Sequence, residues 1–217
     1  MAMKTKLVIF DFDGTLGDTQ RNIVVTMQQV MRQLGLAVAS DAVCASVIGL
    51  PLNDCFKTIY SGMTDAEAEQ CADAYRQYFF LNAKRLVPKP FPHVLETMAE
   101  LKRMGVSMSI ASSRTSKSLL GFVRDMGFGP YISHVVGCED VEHAKPHPEP
   151  VLKTLAALNV SAREALTVGD MPVDILMGRA AGTRTCAVTY GNADPAALAA
   201  SRPDFTVDDI GAIIPLL

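Results

Sequence analysis

The sequence predicts an α/β fold, a doubly wound parallel sheet with a helical cap domain inserted after the first strand. Two observations predict the sheet and a third the insertion. Short apolar runs alternate with longer helical patterns, and polar groups capable of chemistry follow the apolar runs. Between about Thr19 and Pro88 that alternation stops, and only helical patterns remain.

Leu7-Val8-Ile9-Phe10 is the first strand signal, ended by the acidic turn Asp11-Phe12-Asp13-Gly14. Comparable runs recur at Ser107–Ala111, Val135–Gly137, Leu166–Gly169, Cys186–Thr189 and, weakly, Phe205–Val207. Helical patterns at His93–Met104, Ser116–Met126, Glu149–Leu158 and Pro172–Ala181 separate them. Strand–helix alternation of this kind calls for crossover connections and a parallel sheet covered on both faces. The intervening stretch carries helices over Asn22–Leu34, Asp41–Ile48 and Thr64–Ala83. It closes on the proline-rich Val87-Pro88-Lys89-Pro90-Phe91-Pro92. The division expected is therefore a core of residues 1–16 and 89–217 and a helical insert of residues 17–88.

Composition narrows the function classes. Of the 217 residues, 49% are hydrophobic and 20% charged, which is the balance of a globular protein with a full core. A net charge of −3 gives no global attraction to nucleic acid or anionic lipid, so neither is an expected partner. Five cysteines, none in a Cys-x-x-Cys pair, suit reduced thiols. His93, His134, His143 and His147 lack the spacing of a zinc site and read as surface or loop residues. Met-Ala-Met-Lys-Thr-Lys at the amino end has no signal-peptide core, and no apolar run approaches the ~20 residues of a membrane helix. A cytoplasmic location is the expectation.

In doubly wound sheets the site lies beyond the carboxyl ends of the strands. Asp11 and Asp13 follow the first strand, two apart, so both side chains can face one way. Ser112 and Ser113 follow the second and open a helix; Lys145 lies in the loop after the third; Gly169-Asp170 and Asp174 follow the fourth. Singly, each has a mundane reading: a turn opener, a helix cap, a solvated lysine. Together, several acids crowd one rim, and their mutual repulsion demands a cation. Hard oxygen ligands, few in number, point to Mg²⁺ completed by water and a substrate phosphate. Pro146 and Pro148 stiffen the chain around Lys145.

Four strings, in this order, resemble the haloacid dehalogenase superfamily and its phosphoglycolate phosphatase-like branch. They are Asp11-Phe-Asp-Gly-Thr-Leu16, Ser112 after an apolar strand, Lys145-Pro-His-Pro148, and Gly169-Asp170-x-x-x-Asp174. The resemblance spans residues 6 to 191. It implies a Mg²⁺-dependent phosphatase acting on a small phosphorylated metabolite. Asp11 would be the nucleophile and Asp13 the general acid and base, with Ser112 and Lys145 on the phosphoryl oxygens. Asp11, Asp13 (through its backbone carbonyl), Asp170 and Asp174 would serve the metal. Phe12, Gly14, Thr15 and Ser113 would line the phosphate. The chain departs from the family's usual strings at Asp18-Thr19, Pro92-His93 and Ser112-Ser113. Dehalogenases lack a carboxylate at the position of Asp13. Mutases usually have a histidine near Ile23, and that residue is what separates the runner-up reading from hydrolysis. A signalling receiver domain would carry its aspartate after the third strand and no helical insert. Substrate choice is expected from the insert and its return, where Gly49-Leu50-Pro51 forms a loop facing the site. Lys84, Arg85 and Lys89 form the densest basic cluster there, and Arg85 is the candidate contact for a distal acidic group.

Overall fold

The computed structural model describes residues 4–217; the first three residues, assigned above to the core, lie outside the described residues. Six parallel strands form the main sheet: β1 (Leu7–Phe10), β4 (Ser107–Ala111), β5 (Ile132–Val136), β6 (Ala165–Gly169), β7 (Arg184–Val188) and β8 (Phe205–Val207). Their spatial order is β5-β4-β1-β6-β7-β8. β1 is flanked by the later strands β4 and β6, so the chain leaves it to both sides, and the crevice at its carboxyl end is the switch point where such sheets bind ligands.

Side chains alternate across β1 because successive residues of a strand point to opposite faces. Val8 and Phe10 join one apolar cluster with Met98, Leu101 and Ile110, whereas Leu7 and Ile9 join another with Val151 and Met177. Helices α5 (Val94–Arg103) and α6 (Ser116–Asp125) cover the first face; α7 (Glu149–Leu158) and α8 (Pro172–Ala180) cover the second. A short α9 (Pro195–Ala200) lies between β7 and β8.

The interrupted stretch is helical. It contains α1 (Gln20–Gln33), α2 (Asp41–Ser46), α3 (Leu52–Ile59) and α4 (Asp65–Ala83), around an apolar cluster of their own that includes Met27, Met31, Phe56 and Phe79. Thr64 and Glu67 form a reciprocal capping box that fixes where α4 begins. The two chain passages into and out of this unit pair as an antiparallel ribbon, β2 (Gly17–Asp18) with β3 (Lys89–Pro90). Phe122 of α6 packs against both the helical cluster and the sheet cluster.

The expected strands and helices are all present, with shifted ends. β5 begins at Ile132 rather than Val135, and α3 has no counterpart in the sequence reading. The four histidines are exposed or half-buried as expected, but His143 and His147 do have partners. Their rings lie 4.5 Å apart and Glu149 accepts from His143. All five cysteines are free. Among the described residues no helix is long and apolar enough to cross a membrane.

α8 can lie close on the sheet because Gly178 has no side chain. A Cβ there would meet Thr167 Cβ and Thr185 Cγ2, both at 2.8 Å, and these are buried β-branched residues with no room to yield. Gly178→Ala is therefore expected to lift α8 and lower stability by ~1–3 kcal/mol. A denaturant midpoint unchanged from the wild type would show that the helix has slack.

Candidate active site

Asp11 lies just past β1, and its backbone N–H donates to Val168 O of β6 at 2.9 Å, so the sheet itself sets its position. Its carboxylate is buried and accepts from Lys145 Nζ at 2.5 Å. The same ammonium donates to Asp174 Oδ1 at 2.7 Å. Asp174 is the third residue of α8, and its other oxygen accepts from Met171 N at 3.1 Å, a capping-box bond at the positive end of the helix.

Asp170 completes the cluster. It is fully buried and accepts from Thr15 Oγ1 at 3.0 Å, Asn192 N at 2.7 Å and Asn192 Nδ2 at 3.0 Å. Gly14, with φ +91°, passes directly beneath it. A Cβ there would stand 2.1 Å from Asp170 Oδ2, so the turn needs glycine both for its backbone and for this close approach.

Asp11, Asp170 and Asp174 each present an oxygen within 4.8 Å of the others. Three carboxylates face one ammonium, and the two charges left over are those one divalent cation would neutralise. The donors are all hard oxygens, which suits Mg²⁺. The electrostatics agree. Burial, followed by the Asp174 charge, pushes Asp170 up to about 7. Burial and the other three acids hold Asp11 well above the ordinary carboxylate range in spite of Lys145. Burial alone would depress Lys145, but Asp11 and Asp174 more than reverse that and raise it.

Asp13 has different partners. It accepts from Thr19 Oγ1 at 2.5 Å and from Arg114 Nε at 2.6 Å. Its carboxylate thus stands apart from the acidic cluster, and only its carbonyl, which accepts from Asn192 Nδ2 at 3.1 Å, faces Asp170's partner.

Several residues expected to line the phosphate do other work. The Phe12 side chain is fully buried in the core, 5.1 Å from the Phe122 ring, so it cannot touch a substrate; its carbonyl instead accepts from Leu16 and Gly17. Thr15 is fully buried with its hydroxyl turned to Asp170. Ser113 donates to the Gly49 carbonyl at 2.6 Å, which ties the loop between α2 and α3 to the core. Ser112 is buried beside Lys145, and both line a cavity of only about 10 Å³ with Ser113 and Pro51. Arg85 is exposed beyond α4 and makes no side-chain hydrogen bond or ion pair among the described residues. Arg114, Thr19 and Asn192 were not foreseen. Arg114 and Thr19 adjoin residues singled out in the sequence, whereas nothing in the sequence marks Asn192.

The parallel sheet brings paired aspartates, a buried lysine and an acid cluster to its switch point. The family model described as haloacid dehalogenase-like hydrolase matches residues 8–188. The chain belongs to the haloacid dehalogenase-like hydrolases and is an enzyme of their phosphatase kind. It is 33% identical to a protein of Dickeya dadantii (strain 3937) named Probable phosphatase IndB, over 96% of this chain and 91% of that one. It is 33% identical to pyrophosphatase PpaX of Bacillus cereus (strain ATCC 10987 / NRS 248), over 99% and 97%. A solved haloacid dehalogenase-like hydrolase of Bacteroides fragilis superposes with a TM-score of 0.87 at 31% identity, covering 97% of this chain and all of that one.

A carboxyl group whose pKa is raised by folding binds its proton more tightly folded than unfolded, so it lowers stability once ionised. For Asp170 that loss begins above its unfolded pKa of about 4 and is complete above about 7. Metal-free protein should therefore lose Tm as pH rises through this window, with Asp11 acting in the same direction. Added Mg²⁺ should raise Tm more at pH 8 than at pH 5. An equal gain at both pH values would argue that the cation binds elsewhere.

Proposed function

We propose that the protein hydrolyses small phosphorylated metabolites through a phospho-aspartate formed on Asp11, with Mg²⁺ held by Asp11, Asp170, Asp174 and the Asp13 carbonyl. The observation that carries this reading is the separation of the two aspartates. Asp11 is bound to the buried ammonium of Lys145, and Asp13 is bound to Thr19 and Arg114 on the side of the helical insert. Burial and the neighbouring acids oppose the ionised form of Asp11, Lys145 favours it, and a bound cation would tip the balance; Asp13 stands apart from that cluster, where it can meet a leaving group.

Lys145 and the Ser112 hydroxyl orient the phosphoryl oxygens and offset their charge, which lets an anionic nucleophile approach. A bound Mg²⁺ supplies further charge neutralisation at those oxygens. An Asp11 oxygen attacks phosphorus as the bond to the leaving oxygen breaks, and Asp13 gives its proton to that oxygen. Asp13, now ionised, takes a proton from the water that attacks the phospho-aspartate. Phosphate leaves and Asp11 is restored.

Residues 17–88 are read as a cap. Ser113 ties the loop before α3 to the core, so an insert that lifts to admit substrate would break the Ser113–Gly49 bond. A cap closed over the rim favours metabolites over phosphoproteins and expels water from the reacting groups. Relatives named phosphatase and pyrophosphatase support the phosphorylated substrate class. Mutase chemistry is disfavoured, because Ile23 is buried in the helical cluster and offers no proton.

Asp11→Asn should lower turnover of p-nitrophenyl phosphate by at least about a thousandfold with folding retained, since an amide does not attack phosphorus. Removing divalent metal with a chelator should abolish activity, and Mg²⁺ should restore it. Appreciable activity of a pure Asp11→Asn preparation would exclude this nucleophile. Asp13→Asn should cost an alkyl phosphate roughly 10²–10⁴-fold and p-nitrophenyl phosphate much less, because a good leaving group needs little protonation. Equal losses for the two substrates would reduce Asp13 to a structural role.

A further inference from the structure

The segment between β5 and α7 carries Lys145 inward and two imidazole rings outward. His143 and His147 are exposed, whereas the Lys145 side chain between them is buried against Asp11 and Asp174. A bond from His147 N to Ala144 O at 2.9 Å folds the segment into a turn, and the two rings come to lie 4.5 Å apart. Glu149, the first residue of α7, lies against them. His143, His147 and Glu149 each present one atom within 4.8 Å of the others. No step of the reaction above uses any of the three.

The Glu149 carboxylate is held in place by its neighbours. One oxygen accepts from Glu142 N at 3.0 Å and Lys153 Nζ at 2.9 Å, and the other from His143 N at 2.9 Å. That second oxygen also meets His143 Nδ1 at 3.0 Å. Bonds of about 2.0–2.1 Å to a tetrahedral Zn²⁺ set neighbouring ligands roughly 3.3 Å apart. His143 and Glu149 therefore already have the spacing of two ligands. His147 Nδ1 accepts from Glu149 N at 3.2 Å, so that nitrogen carries a lone pair and not a proton, as a ligand must. Closing the set asks the three atoms to draw together by no more than about 1.5 Å, which exposed rings can do by turning.

The donors decide which ion fits. Two imidazoles and a carboxylate suit a borderline ion such as Zn²⁺, whereas Mg²⁺ takes oxygen. The cluster of Asp11, Asp170 and Asp174 has the opposite character, with oxygen donors only. Lys153 shares Glu149 through the other oxygen and is itself half-exposed, so it can yield to water when a cation arrives.

We propose that His143, His147 and Glu149 form a second metal site, for a borderline divalent ion of the Zn²⁺ kind completed by water, on the turn that carries Lys145. The ion closes the turn across Lys145 and braces it from its outer face. The proposal does not depend on the phosphatase reading.

Zn²⁺ titrated into Mg²⁺-saturated protein, followed by imidazole NMR signals and by calorimetry, tests this. The chain has four histidines, so single substitutions assign every ring. The His143 and His147 signals should move together on binding one equivalent, while those of His93 and His134 stay. Mg²⁺ alone should move none of them. His143→Ala and His147→Ala should each weaken that binding by at least about tenfold. If either variant fails to fold, the wild-type ring shifts decide. Zn²⁺ that displaces Mg²⁺ from the acid cluster would leave the rings unmoved and survive both substitutions, and finding only that binding would overturn the proposal. Equal shifts at all four histidines would overturn it too, since they mark an adventitious ion only.

Discussion

The Lys145 ammonium lies between Asp11 and Asp174, buried with both, and joins the end of β1 to the first turn of α8. Ions in such a place are stable only when every one is matched, because removing a single partner leaves an unpaired charge out of water. The rest of the rim follows from this demand. Asp174 takes a backbone N–H with its second oxygen, Asp170 takes three donors, and Gly14 yields the space that Asp170 needs. Even so, three acids outweigh one lysine, and the raised pKa of Asp11 and of Asp170 expresses the imbalance. A surface cluster of acids would dissipate such repulsion into water. Here the sheet and α8 hold the groups in place, so the repulsion is one that a bound cation would relieve.

Asp13 belongs to a second electrostatic unit facing the helical insert. Arg114 and Thr19 bind its carboxylate, and the aromatic rings around Arg114 come from both the core and α4. The two units meet through Asn192, whose amide bonds both the Asp13 carbonyl and Asp170. Two carboxylates only two residues apart thus experience different surroundings, one dominated by an acid cluster with a lysine, the other by an arginine. Environments that differ in this way set apart two carboxylates of the same chemical type.

The sheet was legible because its signal is local: four consecutive buried residues in β1, and strand ends marked by Asp11, Ser112 and Asp170. The helical insert was legible from the absence of strands. What escaped the sequence depends on pairing across long separations. Arg114 acquires its meaning from Asp13, 101 residues earlier in the chain, and from Phe79 on another element. Asn192 sits in an irregular segment after β7, with no periodicity to mark it. Phe12 and Thr15 were read as substrate contacts because they stand inside a motif, whereas burial makes one a core side chain and the other a brace for Asp170. His143 and His147 meet in a turn, which a search for helical spacing does not find.

The division between floor and roof constrains how specificity can change. Every group argued to act on phosphorus comes from the carboxyl rim of the sheet, where strand register and close glycine contacts leave little freedom. The insert reaches that rim through a few contacts, among them the Gly49 carbonyl on Ser113 and Phe79 on Arg114. Substitutions on the insert can therefore alter which leaving group fits while the acid cluster stays intact. Changes to the floor disturb matched buried charges and cost stability as well as rate. Arg114 stands at the junction, anchored in the core and packed by the insert.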